Sequence, residues 1–370
     1  MIDPTPRERV NRSIKFQQPD RTPRDFAAVP EVWQRLALHF GDLDRHLLLK
    51  RLGVDCRIVS YDSFCQDPQA EWVDGDASHE RSSTGLMWRA QLPDGSTRDI
   101  WGACRRPVRN EFGQFDELFT FPLENVNTTE ELQHYRWPRP EWWDFSTLPA
   151  AIDRLNDTAQ YHIRYRVGSI FETAWSLVGL PGFLLDLASA PAKPCYIMAG
   201  IAELHVENLS RALAVAGDRI DCVYFYDDLA TQEGLLLSPR LYERHIQPLH
   251  RRIFELAHKH DKPVMMHCCG SVYPLIPRLI DLGLAILNPV QTSAKNMAPE
   301  KLAAEFGGRL VFHGAIDVQE FLPRARPDEV KRQAALTART LGACGGYICA
   351  GSHHIQADTP LENILALYSD

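Results

Sequence analysis

The sequence predicts an α/β fold, a TIM (β/α)8 barrel with N-terminal helices and an antiparallel β insertion. Beyond residue 160, six short apolar runs alternate with helix-like segments, and their unbroken apolar character is typical of strands buried on both faces. Two earlier candidate strands, at residues 25–29 and 55–60, bring the count to eight, the number of units in such a barrel. The six later runs are YHIRYRV, DCVYFY, PVMMH, LAILN, RLVFH and GYICA.

An open, doubly wound sheet is the alternative architecture. It would usually bring a Gly-rich phosphate-binding turn after its first strand, and the sequence has none there. We therefore prefer the barrel. A chain of 370 residues is long enough for one elaborated barrel, so we expect residues 1–370 to form a single domain.

The N-terminal elements follow from local signals. Thr5 and Glu8 have the spacing of a capping box, and an amphipathic pattern continues from them to Phe16. Two prolines in PDRTPRDF end this helix, and a second helix is expected at about residues 31–40, between the two early strands.

An insertion is predicted at about residues 65–145, where short alternating runs and turn residues replace the earlier pattern. The segments LMWRAQL, PDGS and TRDIWGA predict a β-hairpin with a Pro-Asp-Gly turn. A Trp- and Pro-rich linker then leads to a helix at residues 148–156.

Charge and hydropathy exclude several classes of protein. The chain has 40 Lys and Arg against 48 Asp and Glu, a formal net charge of −8, which gives no general electrostatic attraction to nucleic acid or an anionic membrane. No uninterrupted apolar stretch reaches the roughly 20 residues of a membrane helix, and MIDPTPRERVNRSIKF lacks the apolar core of a signal peptide. We expect a cytoplasmic protein that binds neither nucleic acid nor membrane.

The nine cysteines are odd in number and scattered, which is a poor disulfide framework. Some thiols are therefore available for other chemistry. In a barrel of this type, functional residues lie where each strand ends. Side chains able to bind metal or transfer protons follow four predicted strands: Asp227 and Asp228; His267, Cys268 and Cys269; His313 and Asp317; Cys349, His353 and His354.

His267 and Cys269 form the first candidate metal-binding pair. Alternate residues of an extended strand share a face, so these two side chains point the same way and Cys268 points away. A catalytic zinc site normally has three protein ligands, and Cys349, His353 or His354 would supply the third. The alternative is a hydrogen-bonded barrel histidine beside small buried cysteines.

Carboxylates supply the candidate catalytic groups. Asp227 and Asp228 could each cap a helix, but adjacent carboxylates cannot both cap the next one, so we expect one of them in the active site. Glu172 follows the strand YHIRYRV and is either a third catalytic carboxylate or a first-turn residue favoured by the helix dipole. The candidate substrate-binding residues are Asp62, Gln232, His313 and Trp175.

Several segments, taken together and in order, resemble the uroporphyrinogen decarboxylase superfamily, which also contains cobalamin-dependent methyltransferases. The resemblance is strongest over the first 25 residues and from about residue 219 to the end, and it implies the same barrel fold. The segments are RERVNRSIKFQQPDRTP, YDDLATQEGLLLSP, MMHCCGSV, LAILNPVQ, LVFHGAID and GGYICAGSHHIQADTPLENILALY.

The resemblance also separates two branches of the superfamily. Porphyrinogen decarboxylases carry an Arg-rich RQAGRY-type segment just after the first strand, whereas this chain has RDFAAVPEVWQRL there, with Arg24 but without the paired arginines. Haem biosynthesis is therefore not expected. Asp62 falls roughly where the decarboxylases keep their central Asp, so a metal-independent decarboxylase or lyase using Asp62 and Asp228 on a small or aromatic acid is the alternative function.

The branch that resembles methylcobalamin:coenzyme M methyltransferase uses zinc held by an H-x-C pair and a later Cys. His267 and Cys269 match the pair, and alignment on TPLEN places the later ligand at His353. This is a departure from the pattern: His353 replaces the cysteine, or Cys349 takes over, or the site holds no zinc. Imidazole suits zinc as well as thiolate does, so we favour His353.

By this resemblance we expect a zinc-dependent methyltransferase. It would move a methyl group between a small substrate, namely a methyl ether, methylamine or thiol, and a corrinoid cofactor or corrinoid protein. A homodimer is a further expectation from the resemblance. A non-catalytic binding protein on a barrel scaffold is the least favoured reading, because so many ionisable side chains fall at strand ends.

Overall fold

The computed structural model describes residues 3–66, 89–110 and 113–369. In chain order the strands are β1 (Cys56–Ser60), β2 (Arg89–Gln91), β3 (Thr97–Asp99), β4 (Cys104–Asn110), β5 (Gly113–Thr120), β6 (His162–Gly168), β7 (Cys222–Tyr226), β8 (Val264–His267), β9 (Leu284–Val290), β10 (Val311–Ile316) and β11 (Tyr347–Gly351). Helical turns of the 3-10 type span Tyr61–Phe64, Pro140–Trp142 and Tyr273–Leu275, and a π-helical turn spans Tyr242–Ile246.

The α-helices are α1 (Pro6–Ile14), α2 (Pro30–Phe40), α3 (Arg45–Arg51), α4 (Thr129–His134), α5 (Leu148–Leu155), α6 (Phe171–Val178), α7 (Leu180–Ser189), α8 (Ala192–Ala216), α9 (Pro239–Leu241), α10 (Gln247–Lys259), α11 (Ile276–Asp281), α12 (Pro299–Phe306), α13 (Phe321–Arg324), α14 (Pro327–Leu341) and α15 (Leu361–Leu367). Within the described ranges, none of these helices combines the length and the apolar character needed to cross a membrane.

The main sheet is parallel and runs in the order β1-β6-β7-β8-β9-β10-β11. Parallel neighbours need a crossover connection, and helices pack on the outside of the sheet to provide it. The predicted TIM-like α/β barrel is therefore confirmed. The six runs beyond residue 160 all form strands of this sheet, as does the early run at residues 55–60.

Residues 23–29 take the eighth position, but the strand predicted at residues 25–29 is wrong as a regular strand. The segment makes two isolated parallel bridges, Arg24 with Cys349 and Ala28 with Ile355, and on its other side the Asp55 N–H donates to the Arg24 carbonyl at 2.9 Å. The two bridges are four residues apart in this segment but six apart in its partner, because β11 ends at Gly351 between them, and this mismatch interrupts a continuous ladder. The gap between β11 and β1 is thus bridged by irregular extended backbone.

The predicted antiparallel insertion is present as a second sheet, β2-β3-β4-β5. The predicted hairpin is its first part, with Gln91 paired to Thr97 across the turn, while residues 86–88 of its first run lie outside the described residues. The longer β4–β5 hairpin was not predicted. Its first strand, CRRPVRN, is rich in arginine and contains a proline, so it lacks an apolar alternation that would indicate a strand.

Helix α1 closes the N-terminal end of the barrel. Its capping box is formed as predicted, with the Glu8 N–H donating to Thr5 Oγ1 and the Thr5 N–H to the Glu8 carboxylate. The helix ends at Ile14, before Phe16, because Phe16 adopts a left-handed conformation with φ of 56°. Val10 is fully buried against apolar side chains of the inner face, which leaves the opposite end of the barrel for polar groups.

The Val10 contact leads to a stability prediction. Val10→Ala removes two buried methyl groups and should lower the free energy of unfolding by about 1–3 kcal/mol, measured by urea denaturation. Val215→Ala is the matched control, because Val215 also lies in a helix but is 45% exposed, and it should change stability by less than about 0.5 kcal/mol. Equal effects of the two substitutions would contradict the role of α1 as the apolar plug.

Candidate metal centre

Three predicted ligands meet at the C-terminal end of the barrel. One ligand atom each from His267, Cys269 and His353 lies within 4.8 Å of the others. The Cys269 Sγ is 3.2 Å from the His267 Nε2, and the two imidazole rings have centroids 5.9 Å apart. His353 follows Cys269 by 84 residues in the sequence. The end of β8 and the loop after β11 therefore bring distant parts of the chain together.

The turn after β8 sets the direction of the cysteines. The Cys268 N–H donates to the Asn288 carbonyl at 2.7 Å, and the Cys268 sulfur is buried where it accepts from the Leu229 N–H at 3.4 Å, away from the group. Gly270 has φ of +80°, and a Cβ there would lie 2.4 Å from the Thr231 carbonyl oxygen. A glycine is therefore required for this turn to pass beside the loop after β7.

The structure does not bring Cys349 into the group, although it was the reserve candidate for the third ligand. It lies in β11 with its side chain in the apolar core between the sheet and the helices, because the side chains of a strand alternate between faces. Burial raises the pKa of its thiol to about 11. His353 occupies the third place instead, and the partly buried His354 packs against it with ring centroids 5.0 Å apart.

His353 and Cys269 are both uncharged in the metal-free protein at neutral pH. Burial lowers the pKa of His353 to about 3, so this imidazole is uncharged and has a lone pair for a metal. Burial and the charge of Asp228 raise the pKa of the Cys269 thiol well above its ordinary value. Binding of a cation would therefore displace a proton from Cys269.

Asp227 and Asp228 have different environments although they are adjacent. Asp228 accepts a hydrogen bond from the Cys269 N–H at 2.8 Å, and its Oδ1 lies 3.8 Å from the His267 Nε2. Its side chain is about one third exposed. Asp228 therefore lies at the group itself and is available to a ligand bound there.

Asp227, the other predicted catalytic carboxylate, is completely buried and saturated with hydrogen bonds. Its oxygens accept from the backbone N–H groups of Ile170, Phe171 and Glu172 at 3.2, 3.0 and 2.8 Å, and lie 2.9 Å from the His250 Nε2. These N–H groups begin α6, so the carboxylate caps that helix. The structure gives Asp227 a capping role and leaves it no exposed oxygen for a substrate.

Glu172 lies in the first turn of α6, half-buried beside this pair. Burial, and then the negative charges of Asp228 and Asp227, raise its pKa to about 8, against which Arg105 of β4 acts weakly. A carboxyl with this pKa is mostly protonated at neutral pH and can donate a proton. Of the three predicted catalytic carboxylates, Glu172 has the environment that suits acid–base chemistry best.

A cavity of about 300 Å³ opens beside two of the three candidate ligands. Its described lining contains Cys269 and His353 but no Asp, Glu, Lys or Arg. Gln232, predicted to bind substrate, lies in this wall and donates to the Gln291 Oε1 at 3.0 Å. The other amide side chains of the wall, which were not predicted, are Gln291, Gln319 and Gln356.

The remaining predicted substrate-binding residues lie elsewhere and are not among the described residues that line this cavity. Asp62 is buried 3.5 Å from the guanidinium of Arg166. His313 is buried inside the barrel, where its Nε2 lies 2.8 Å from the Asp25 Oδ2. Trp175 is partly buried on α6 and packs against the core between the helices and the sheet.

The polar interior of the barrel was missed from the sequence, although YHIRYRV contained a signal for it. Arg164 and Arg166 are two residues apart, so they share a face, and both point into the barrel. This strand was interpreted as uniformly apolar. Its alternate positions carry histidine and arginine, which indicate a face lined by charge.

A family model of uroporphyrinogen decarboxylase (URO-D) matches residues 121–369 of the chain, about two thirds of its length. The chain belongs to this family. The matched region contains every strand of the main sheet except β1, and it includes all three candidate ligands. The superfamily resemblance drawn from the sequence is thus confirmed.

Among solved structures, this URO-D family member is similar to a methyltransferase from Methanosarcina mazei, with 16% sequence identity and a TM-score of 0.64. The match covers 98% of this chain and 97% of the other. At this identity the likeness shows a shared fold over nearly the whole length of both proteins. No curated protein sequence gives a significant match.

The raised pKa of Glu172 predicts a pH-dependent stability difference. Between the unfolded pKa of 4.5 and the folded pKa of about 8, the folded protein binds the extra proton, so this carboxyl stabilises the fold less as the pH rises. Glu172→Gln removes the effect. The variant should therefore gain stability relative to the unsubstituted metal-free protein from pH 5 to pH 8, by at most about 1.4 kcal/mol per pH unit in urea denaturation.

Glu329→Gln is the matched control. Glu329 lies in the first turn of α14, and hydrogen bonds from Arg326 lower its pKa. It is mostly ionised in both states above pH 5, so its substitution should give a nearly constant difference over this range. A constant difference for Glu172→Gln as well would show that Glu172 is ionised at neutral pH.

Proposed function

We propose that the protein is a zinc-dependent methyltransferase that moves a methyl group between a small substrate and a corrinoid cofactor or corrinoid protein. The substrate would be a methyl ether, a methylamine or a thiol. The observation that carries the proposal is the group formed by His267, Cys269 and His353 at the mouth of the barrel. A corrinoid protein docked at this mouth and a homodimeric assembly are parts of the same proposal.

The chemistry of the three donors fits zinc. Two imidazole nitrogens and one thiol sulfur are ligands that zinc prefers, and three protein ligands leave a fourth position for a substrate. The other ring nitrogen of His267 lies 2.7 Å from the Asn288 Oδ1, which is the outer contact that a metal-binding histidine usually makes. When bound, zinc would lower the pKa of a coordinated thiol or similar group.

Glu172 would donate a proton to, or accept one from, the heteroatom that loses or gains the methyl group. When a methyl group leaves a substrate oxygen or nitrogen for cob(I)alamin, the bonding electron pair stays on that heteroatom, which then needs a proton. Protonated Glu172 would supply it, and in the reverse direction its carboxylate would accept the thiol proton. Asp228 would hold the turn at Cys269 through the N–H hydrogen bond.

The lining of the cavity favours a small, polar substrate that carries no negative charge. Its wall offers amide groups and the apolar Ala230 and Val318, and none of its described lining residues carries a cationic side chain to bind a carboxylate. An acidic substrate, as the alternative decarboxylase reading requires, would lack a charged partner there. This observation favours methyl transfer over decarboxylation.

The test is methyl transfer to cob(I)alamin, followed by the absorbance change as methylcobalamin forms, with methoxylated aromatics, methylamines and methylthiols as donors. Chelator-treated protein should be inactive and zinc should restore it. His267→Ala should lower the rate by a factor of about 100 or more. Cys349→Ala is the control that separates the two proposed third ligands, because its side chain faces the core, and it should stay within about twofold.

Full activity in metal-free protein would contradict the proposal. So would loss of activity in Cys349→Ala with retention in His353→Ala. Release of carbon dioxide from an aromatic acid, unchanged by the chelator, would support the decarboxylase instead.

A further inference from the structure

A row of polar side chains crosses the interior of the barrel beneath His267. The His267 Nδ1 is 2.7 Å from the Asn288 Oδ1, and the Asn288 Nδ2 is 2.6 Å from the His313 Nδ1. The His313 Nε2 lies 2.8 Å from the Asp25 Oδ2, and the same oxygen accepts from Arg164. The row joins a candidate metal ligand to an ion pair on the far side of the barrel.

The direction of each hydrogen bond follows from the ion pair. Burial disfavours the charge of Asp25, but Arg164 and His313 more than offset this and hold its pKa below the ordinary value. An ionised carboxylate only accepts hydrogen bonds, so the His313 Nε2 must carry a hydrogen. Burial lowers the pKa of His313, so the ring is neutral and its Nδ1 accepts.

The asparagine transmits this direction to the metal centre. An acceptor at the His313 Nδ1 requires the Asn288 NH2 group on that side, which turns its oxygen toward His267. The Tyr224 hydroxyl donates to the same oxygen at 3.3 Å, which agrees with this orientation. The His267 Nδ1 must then carry the hydrogen, and its Nε2 keeps a lone pair beside Cys269.

Burial and sheet register keep the row in place. Asn288 is 8% exposed and His313 3%, so bulk water is excluded as a replacement partner for either side chain. The parallel pairing of β8 with β9 places Asn288 directly beside His267. The contact is therefore built into the sheet and does not depend on a loop.

We infer that Asn288 and His313, anchored by the Asp25–Arg164 pair, are positioning residues that hold His267 in the one tautomer able to present Nε2 to a metal. The inference rests on the proposed function for its purpose, since a ligating imidazole nitrogen must be unprotonated. The tautomer itself is a property of the metal-free protein. A protonated His313 would reverse the amide and place the hydrogen on the His267 Nε2.

The first test needs neither metal nor activity. Nitrogen-15 NMR of metal-free protein labelled at histidine distinguishes protonated from unprotonated ring nitrogens, and His267→Gln and His313→Gln assign the two signals. We expect the hydrogen on Nδ1 in His267 and on Nε2 in His313. A hydrogen on the Nε2 of His267 would overturn the inference whether or not the protein binds zinc.

The second test measures Co²⁺ affinity from the visible absorption of the bound ion. Asn288→Leu keeps the size of the side chain but offers no acceptor, and it should weaken Co²⁺ binding by about 10–100-fold. Asn288→Asp keeps an acceptor for the His267 Nδ1 and should restore affinity to within about threefold. Tyr224→Phe removes a different hydrogen bond to the same oxygen and should change affinity less than about twofold.

Circular dichroism and the thermal midpoint of each metal-free variant establish that it is folded. Binding that is equally tight in folded Asn288→Leu, or equally weak in the Leu and Asp variants, would overturn the positioning role and leave the metal centre intact. An unsubstituted protein that binds no Co²⁺ would overturn both this role and the proposed zinc site. The two failures are thus distinguishable.

Discussion

Asp25 and Arg164 form an ion pair inside the barrel, and both the closure of the sheet and the orientation of His267 depend on it. Asp25 belongs to the irregular segment at the eighth position, whereas Arg164 lies in the middle of β6. Their contact ties the segment that closes the sheet to a strand across the interior. Removing one partner of such a buried pair leaves an uncompensated charge, at a typical cost of about 3–5 kcal/mol.

The Asp25 carboxylate also sets the direction of the hydrogen bonds that lead to His267. Because Asp25 accepts from both Arg164 and His313, the hydrogen bonds from His313 through Asn288 to His267 run in one direction only. Closure of the barrel and orientation of a candidate metal ligand therefore rest on one residue. The apolar side chains that pack around Val10 of α1 close the N-terminal end of the barrel, so the polar row lies between them and the mouth.

Asp227 and Asp228, at the end of β7, have different roles. Asp227 accepts hydrogen bonds from the first N–H groups of α6, and these bonds fix the position of Glu172 in the first turn of that helix. Asp228 lies beside His267 and Cys269, and burial, together with the charges of Asp228 and Asp227, keeps Glu172 mostly protonated at neutral pH. Asp227 thus positions Glu172, and the charge of Asp228 raises the pKa of Glu172.

Much of this arrangement was predictable from the sequence. The later strands other than β6 are mostly apolar runs with clear boundaries. The H-x-C spacing on β8 together with TPLEN was enough to select His267, Cys269 and His353. Local patterns could not reveal that residues 23–29 pair at only two isolated bridges, because that depends on where the partner strand β11 ends. They could not reveal the β4–β5 hairpin either, because β4 lacks the expected apolar alternation. Asn288 and Asp25 were missed because their partners are set by strand register and by contacts across the barrel.

X-ray absorption spectroscopy of the zinc-loaded protein at the zinc edge tests the proposed metal centre most directly. We expect one sulfur ligand at about 2.3 Å and two imidazole nitrogens at about 2.0–2.1 Å, with a light atom in the fourth position. Two sulfur ligands would show that Cys268 or Cys349 joins the site. A shell of oxygen atoms alone would contradict the metal centre formed by His267, Cys269 and His353.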